Sequence, residues 1–187
     1  MRTFFEDIHA IDQFTLSLGL HQAELQCVHC SKSDQFVSHG FIYKQRSQTL
    51  KEPVGKRIFC SNRHGRSGCG RTFQLYIARE MPSLHYGCAQ LFVFVSSLFL
   101  NLSVVKAYQQ ATAQANTRNA WRWLKQLDRR LIDYREFLKV NVDNVMASFP
   151  TRTKRLQILL PTLQRLFDTL EANPCPNYQL HRQLPFL

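Results

Sequence analysis

Acidic side chains are in short supply in this sequence. Its 187 residues hold 13 aspartates and glutamates against 24 lysines and arginines, a net charge of +11. Beyond residue 140 the only acids are Asp143, Asp168 and Glu171. That is thin material for the carboxylate cluster of a magnesium-dependent catalytic domain. A Ser/His/Asp arrangement, a phosphate-cradling glycine loop and a cysteine in a catalytic context are missing too. These absences point away from an enzyme.

Long apolar runs are also missing. The N-terminus, MRTFFEDIHAIDQF, has acids where a secretory signal needs a basic start and an apolar stretch. The most apolar segment, Cys88–Leu102, reads CAQLFVFVSSLFLNL and carries Gln90, Ser96, Ser97 and Asn101. It falls short of the roughly 20 residues a spanning helix needs, so the expectation is a buried core helix and no membrane partner. No internal repeat and no low-complexity tract occurs. With 44% hydrophobic residues the chain can build a packed core. Six cysteines without a secretion signal suggest a reducing, cytoplasmic setting, where metal binding explains cysteines better than disulfides do.

What is present is basic charge, unevenly placed. Residues 1–30 hold Arg2 against four acids, whereas residues 31–79 hold ten bases against Asp34 and Glu52. Such an excess favours a polyanion, nucleic acid or an anionic surface.

Four regions separate by pattern: 1–24, 25–81, 82–140 and 141–187. In the first, Phe4, Phe5, Ile8, Ile11, Phe14 and Leu16 recur near helical spacing, predicting a helix over 3–20 that stops at Gly19. In the second, short β-branched and aromatic runs replace that period: Phe36-Val37, Phe41–Tyr43, Ile58-Phe59 and Thr72–Ile77. The polar stretch Lys44–Lys56, with Pro53 and Gly55, reads as a hairpin loop. In the third, Pro82-Ser83 opens a helix over 83–100, Ser103 caps a second over 104–113, and Thr117 caps a third running to about 139. Ala120, Trp121, Leu124, Leu127, Leu131, Tyr134 and Leu138 form its apolar stripe. Trp121 is expected in the core; Trp123, on the other side of the helix, is expected partly exposed and packed against the C-terminal helices. In the fourth, leucines between Thr151 and Ala172 have helical spacing, with Pro161 as a kink or restart after the break at Pro150. The tail NPCPNYQLHRQLPFL, with three prolines, is expected to be irregular, leaving Cys175 as an exposed thiol and Cys88 in the core. The fold class is therefore α+β: a small zinc ribbon of β-hairpins followed by a helical, helix-turn-helix-like bundle.

The metal reading rests on cysteine spacing. Cys27-Val-His-Cys30 is a C-x-x-C turn, which lets two thiolates reach one tetrahedral ion. Cys60 and Cys69 form a second pair, separated by eight residues, and Gly65, Gly68 and Gly70 make that loop flexible enough to fold back on the metal. The expected cofactor is one structural Zn2+ held by Cys27, Cys30, Cys60 and Cys69. His64 is the alternative fourth ligand, ranked behind Cys69 because Cys69-Gly70 before a strand suits a knuckle turn. His29, between two ligands, should point outward. Four thiolates leave no open coordination position, so such a site supports the fold and does no chemistry.

The order C-x-x-C, hairpin, Gly55-Lys-Arg-Ile-Phe-Cys60, Cys69-Gly-Arg-Thr-Phe-Gln-Leu75 and then helices resembles the zinc ribbon and helix-turn-helix at the N-terminus of bacterial insertion-sequence transposases and their short InsA-like regulators. The similarity covers about residues 25–127. It departs in the stretched second knuckle and in the turn before Thr117, which lacks the glycine common there. The resemblance implies a bacterial, nucleoid-associated protein that recognises double-stranded DNA such as element ends, alone or with a separate transposase subunit or a second copy of itself.

In that reading the first turns of the second reader helix meet bases through Thr117, Arg118, Asn119 and Arg122, while Lys125, Arg129 and Arg130 hold phosphates. Lys44, Arg46, Lys56, Arg57, Arg63, Arg66 and Arg71 supply a second phosphate-binding surface on the ribbon. Two other readings compete. One is a protein-interaction or assembly module; the other is a degenerate or catalytic recombinase subunit, for which Tyr86, Tyr108 and Tyr134 are the candidate nucleophiles.

Overall fold

The computed structural model describes residues 2–20, 25–46, 49–82, 84–139 and 153–187. Ser83, Asp143, Pro150 and Thr151, which entered the reading above, lie outside these residues. The chain divides into two compact units, Met1–His85 and Tyr86–Leu187. The fold class is α+β, with a four-stranded sheet and seven helices among the described residues.

The first unit comprises β1 (Arg2–Phe5), α1 (Ile8–Gly19), β2 (Phe36–Gln45), β3 (Lys51–Cys60) and β4 (Thr72–Ile77). The sheet order is β1-β4-β3-β2, with β1 parallel to β4 and the other pairs antiparallel. The expected helix over 3–20 therefore begins late. Phe4 and Phe5 are strand residues that pair with Tyr76 and Ile77. Asp7 then caps α1, accepting a hydrogen bond from the Ala10 amide at 2.8 Å. An edge strand this short has no local signature, because its ladder is supplied by β4, some seventy positions away in the chain.

The loop expected over Lys44–Lys56 is also shorter. β2 runs to Gln45 and β3 begins at Lys51, so Pro53 and Gly55 lie within a strand. Pro53 faces Tyr43 beside a register irregularity, where a missing amide donor is tolerated. At Gly55 a Cβ would come 2.0 Å from the Leu75 carbonyl oxygen, so only glycine permits this strand approach.

Alternation places Ile58 and Cys60 of β3, and Phe73, Leu75 and Ile77 of β4, on the face that meets α1. There they pack with Ile11 and Leu18 of α1, with Phe36 and with Cys27. Cysteines thus form one end of the unit's hydrophobic core. Arg57, Phe59, Thr72 and Gln74 alternate onto the opposite face.

The second unit is helical: α2 (Cys88–Phe99), α3 (Val104–Thr112), α4 (Arg118–Arg129), α5 (Leu131–Leu138), α6 (Lys154–Leu170) and α7 (Pro174–Arg182). α2 begins five residues later than expected, after Gly87, whose amide donates to the Gln90 side chain at 3.1 Å. Ser103 caps α3 by accepting from the Lys106 amide. The single helix expected from Thr117 to 139 is interrupted at Arg130, which leaves Leu127 and Tyr134 both fully buried. α6 runs through Pro161 without a break. Its buried leucines outweigh the cost of the missing amide donor.

Two expectations about this unit are corrected. Trp121, expected in the core, is 57% exposed, while Trp123, expected partly exposed, is only 2% exposed. The buried stripe of α4 is Ala120, Trp123, Leu124 and Leu127, at i, i+3, i+4 and i+7. Trp123 wins the core position because rings surround it: Phe94 at 5.5 Å, Tyr108 at 5.2 Å and Tyr86 at 5.6 Å, all edge-on.

The tail is also ordered. Pro174 and Pro176 fall in the first turn of α7, where the amides have no intrahelical acceptor and proline costs nothing. Phe186 is fully buried; its amide donates to the Gln179 side chain at 2.9 Å and its carbonyl accepts from the Tyr134 hydroxyl. Cys175 is correspondingly buried, not exposed, and burial, with the neighbouring Cys88 thiol, pushes its thiol well above the usual range.

Candidate metal centre

The four cysteines converge. Cys27 and Cys30 come from the turn that precedes β2, Cys60 ends β3, and Cys69 lies just before β4. Their sulfurs all lie within 4.8 Å of one another. Cys27 Sγ is 3.6 Å from Cys69 Sγ, and Cys30 Sγ is 3.7 Å from Cys60 Sγ. A tetrahedron with metal–sulfur bonds of about 2.3 Å has an edge of about 3.8 Å. These two separations match that edge, and all four cysteines are free, without the sulfur–sulfur contact of about 2.05 Å that a disulfide has. The four residues can therefore hold a metal ion.

Backbone geometry explains the convergence. The Ser31 amide donates to the Cys27 carbonyl at 2.7 Å and the Cys27 amide to the Lys32 carbonyl at 3.0 Å, with Ser31 in the left-handed region at φ 55°. This closes the first turn. In the second half-site the Cys60 amide donates to Arg71, the Gly70 amide returns to Cys60, and the Cys69 amide points at Cys60 Sγ from 3.4 Å. Gly70 turns there at φ 76°. Gly68 acts through its missing side chain: a Cβ would lie 2.7 Å from Cys60 Sγ and 2.4 Å from the Ser61 carbonyl oxygen. The glycines of the long knuckle thus provide close approach and a left-handed turn. Sequence spacing alone suggested only flexibility.

The eight intervening residues fold back onto the segment before β2. Lys32 Nζ donates to the Ser67 carbonyl at 2.7 Å and the Ser67 amide to Gln35 Oε1 at 2.8 Å. The Arg66 guanidinium caps the Asp34 carbonyl. His64 is exposed, at φ 54°, and is not part of the sulfur cluster, whose fourth member is Cys69. His29 is exposed, its ring 5.6 Å from that of Phe73 and its Nδ1 3.2 Å from Arg71.

The thiols are inequivalent. Burial works to raise the Cys27 pKa, but the amides of His29 and Cys30 and the thiols of Cys69 and Cys30 bring it down to about 7. At Cys60 burial dominates and pushes the thiol up to about 12, with the other three thiols adding to the rise and only the Cys69 amide opposing it. The Cys27 thiol could thus meet a bound cation already ionised, whereas the Cys60 thiol would have to surrender a proton to it.

The basic residues fall into four groups. Lys44 lies 2.9 Å from Glu80; Arg46 contacts Glu80 and reaches Glu52 at 2.9 Å; Lys56 lies 2.7 Å from Asp12 and 4.8 Å above the Phe41 ring. These three are engaged inside the first unit. Arg57 and Arg63 stand on the sheet face away from α1, while Arg66 and Arg71 belong to the knuckle. On α4, Arg118, Asn119, Arg122 and Lys125 are exposed together, and Arg122 reaches Asn119 Oδ1 at 3.4 Å. Thr117 precedes α4 without a side-chain cap bond, and Asn116 Oδ1 instead accepts from the Arg118 amide at 3.1 Å. Among the tyrosines, Tyr108 and Tyr134 are buried and Tyr86 packs edge-on against Tyr108 and Trp123. Among the described residues no helix is long and apolar enough to cross a membrane.

Sequence reading missed Lys32 and Gln35, which hold the knuckle in place, and took Gly68 for flexibility where its role is close approach. The one local sign was the Gly68-Cys69-Gly70 flank. No protein-family model, curated protein or solved structure matches this chain.

Proposed function

We propose that this chain is a zinc-dependent DNA-binding protein of a mobile genetic element, acting as a transposase component or as a regulator of transposition. The observation that carries DNA binding is the two-sidedness of α4. One side is a buried stripe of Ala120, Trp123, Leu124 and Leu127; the other presents Arg118, Asn119, Arg122 and Lys125 to solvent. With α3 and the connection over 113–117, this makes a helix-turn-helix whose second helix enters the major groove. Arg118, Asn119 and Arg122 are its base-reading side chains, and Lys125 a phosphate contact. The cysteine cluster holds one zinc ion in a closed ribbon-type site, which fixes the first unit and does no chemistry. The mobile-element assignment rests on the resemblance of residues 25–127 to the insertion-sequence proteins.

The test is fluorescence anisotropy of zinc-loaded protein with labelled duplex DNA across salt concentrations. Affinity should fall steeply with salt, and an R118Q/R122Q variant should lose about tenfold or more. Duplex binding that is absent at low salt, or indifferent to those arginines, overturns the reading. A second reading, an assembly module, is favoured by the large exposed apolar residues Trp121 and Ile132 on α4 and α5, 57% and 70% accessible. Light scattering coupled to size exclusion separates the two: a dimer disrupted by Ile132→Lys with DNA binding unchanged supports assembly.

A further inference from the structure

The sheet of the first unit has a second face that neither α1 nor the cysteines use. Register places three of its residues in one lateral row: Arg2 on β1 is partnered with Gln74 on β4, and Gln74 with Arg57 on β3. On β2 the register shifts between Ser38 and Phe41, opposite Arg57, and His39 stands in that irregularity beside Gly40 at φ 89°. Arg2, Gln74, Arg57 and His39 together with Thr72 line one open hollow of about 490 Å³. A second hollow, of about 290 Å³, shares His39 and Thr72 with the first and extends it past Phe59 to Arg63. Among the described residues lining the two hollows there is no carboxylate.

The chemistry changes along this trough. At one end the two guanidinium groups flank an amide. Strand spacing of about 4.8 Å puts their Cα atoms about 10 Å apart, with Gln74 between. Both arginines also oppose the rise that burial imposes on the Tyr76 hydroxyl, which places their charges over the same patch of sheet. At the other end lies a stacking group. The His39 and Phe59 rings are 5.7 Å apart and tilted by 34°, and the Arg63 guanidinium lies 6.0 Å from the Phe59 centroid. Paired forks suit phosphodiester oxygens, while flat aromatic and guanidinium surfaces suit the face of a base. A base within a duplex keeps its faces covered by its neighbours, so only an unpaired one can use such a platform.

We infer that the outer face of this sheet binds single-stranded DNA, with phosphate oxygens held between Arg2 and Arg57 and a base stacked against the His39–Phe59–Arg63 group. The inference rests on the reading of the chain as a DNA-binding protein, but it assigns a surface distinct from α4 and a different form of DNA. A protein that engages element ends would then hold an unpaired strand on one unit and duplex on the other.

The experiment uses the full, zinc-loaded chain with two probes, a short fluorescent oligothymidylate and a labelled duplex. An R2Q/R57Q variant should lose about tenfold or more in oligothymidylate affinity. Its salt slope should shrink by about 1.4, at roughly 0.7 per single-strand phosphate contact. Its duplex affinity should stay within about threefold of the parent. R57K keeps the charge without the fork and should fall between parent and double variant. Retention of one zinc per chain reports that the sheet is folded in each variant. Oligothymidylate binding that is absent in the parent, or that keeps its affinity and salt slope in R2Q/R57Q, overturns the inference. Loss of duplex binding in R118Q/R122Q bears on α4 alone. Should duplex binding be absent while oligothymidylate binding depends on Arg2 and Arg57, the α4 reading fails and this one stands.

Discussion

The two units reach stability by different routes. In the first, the core is continuous with the sulfur cluster: Cys27 and Cys60 are buried among Ile11, Phe36, Ile58 and Phe73, with Cys30 and Cys69 packed against them. Without a cation, one end of that core is a set of four crowded thiols. In the second unit the core is apolar and aromatic, centred on Trp123, Phe94 and Tyr108, and sealed from the far end of the chain by Phe186. The first unit should depend on metal where the second depends on packing alone.

Metal removal tests that contrast most severely. Structural zinc contributes on the order of 10 kcal/mol to the folding of small cysteine-ligated modules. Chelation, or Cys60→Ser, should strip hydrogen-exchange protection from residues 25–77. The chain's two tryptophans are both in the second unit, so their fluorescence reports on that unit alone. It should stay native after chelation. Loss of both signals together would show that the units are not independent; retention of both would show that the first needs no metal.

The converse test is Trp123→Ala. Removing a fully enclosed indole should cost the second unit about 3–5 kcal/mol in urea unfolding, while the protein retains its zinc. Trp121→Ala, at 57% exposure, should stay within about 0.5 kcal/mol. Equal losses at the two positions would contradict the burial of α4.

The tryptophan pair also shows where sequence reading stops. The four cysteines were legible because chelation imposes short, chemically distinctive spacings, and the α3 cap was legible because Ser103 acts three residues away. Trp121 and Trp123 flank the same leucine stripe, and both fit a helical period. Only the rings of Tyr86, Phe94 and Tyr108, brought in from elsewhere, decide between them. β1 was hidden for the same reason, since its partner is β4. So was the row formed by Arg2, Gln74 and Arg57, which exists only through register. In the tail, proline content suggested irregularity because the position of each proline within a helical turn matters more than their number.

Gly68→Ala sharpens the metal half of the contrast at a finer scale. The added methyl would press on Cys60 Sγ and the Ser61 carbonyl, so the knuckle must open. Overpacking of that kind costs about 1–3 kcal/mol, read here as a fall of about tenfold or more in zinc affinity. Gly65→Ala is the matched control. Its Cβ meets nothing, and its φ of 80° exacts only local backbone strain. Zinc affinity should survive Gly65→Ala, and equal losses in the two variants would show that loop flexibility, not contact with Cys60, is what the site requires.

The mildest probe is pH. In the metal-free site burial would raise Cys27, but amide and thiol hydrogen bonds hold it at about 7, whereas burial pushes Cys60 up to about 12. Each shift has a defined sign for the metal-free fold. The Cys27 contribution is present above the ordinary thiol value and is lost as pH falls through about 7; the Cys60 contribution is present below that value and is lost as pH rises through about 12. Zinc must displace the Cys60 proton throughout the working range, but the Cys27 proton only below about 7. These two thiols should therefore steepen zinc affinity by about tenfold per pH unit above neutrality and about a hundredfold below it, each proton contributing about 1.4 kcal/mol per unit. Competition against a chelator of known pH dependence measures the slope on both sides. A slope that does not change near neutrality would mean that the amides of His29 and Cys30 do not prepare Cys27 for the metal. The first unit would then assemble its site only as the ion arrives, which would make its dependence on metal deeper than the contrast with the second unit already implies.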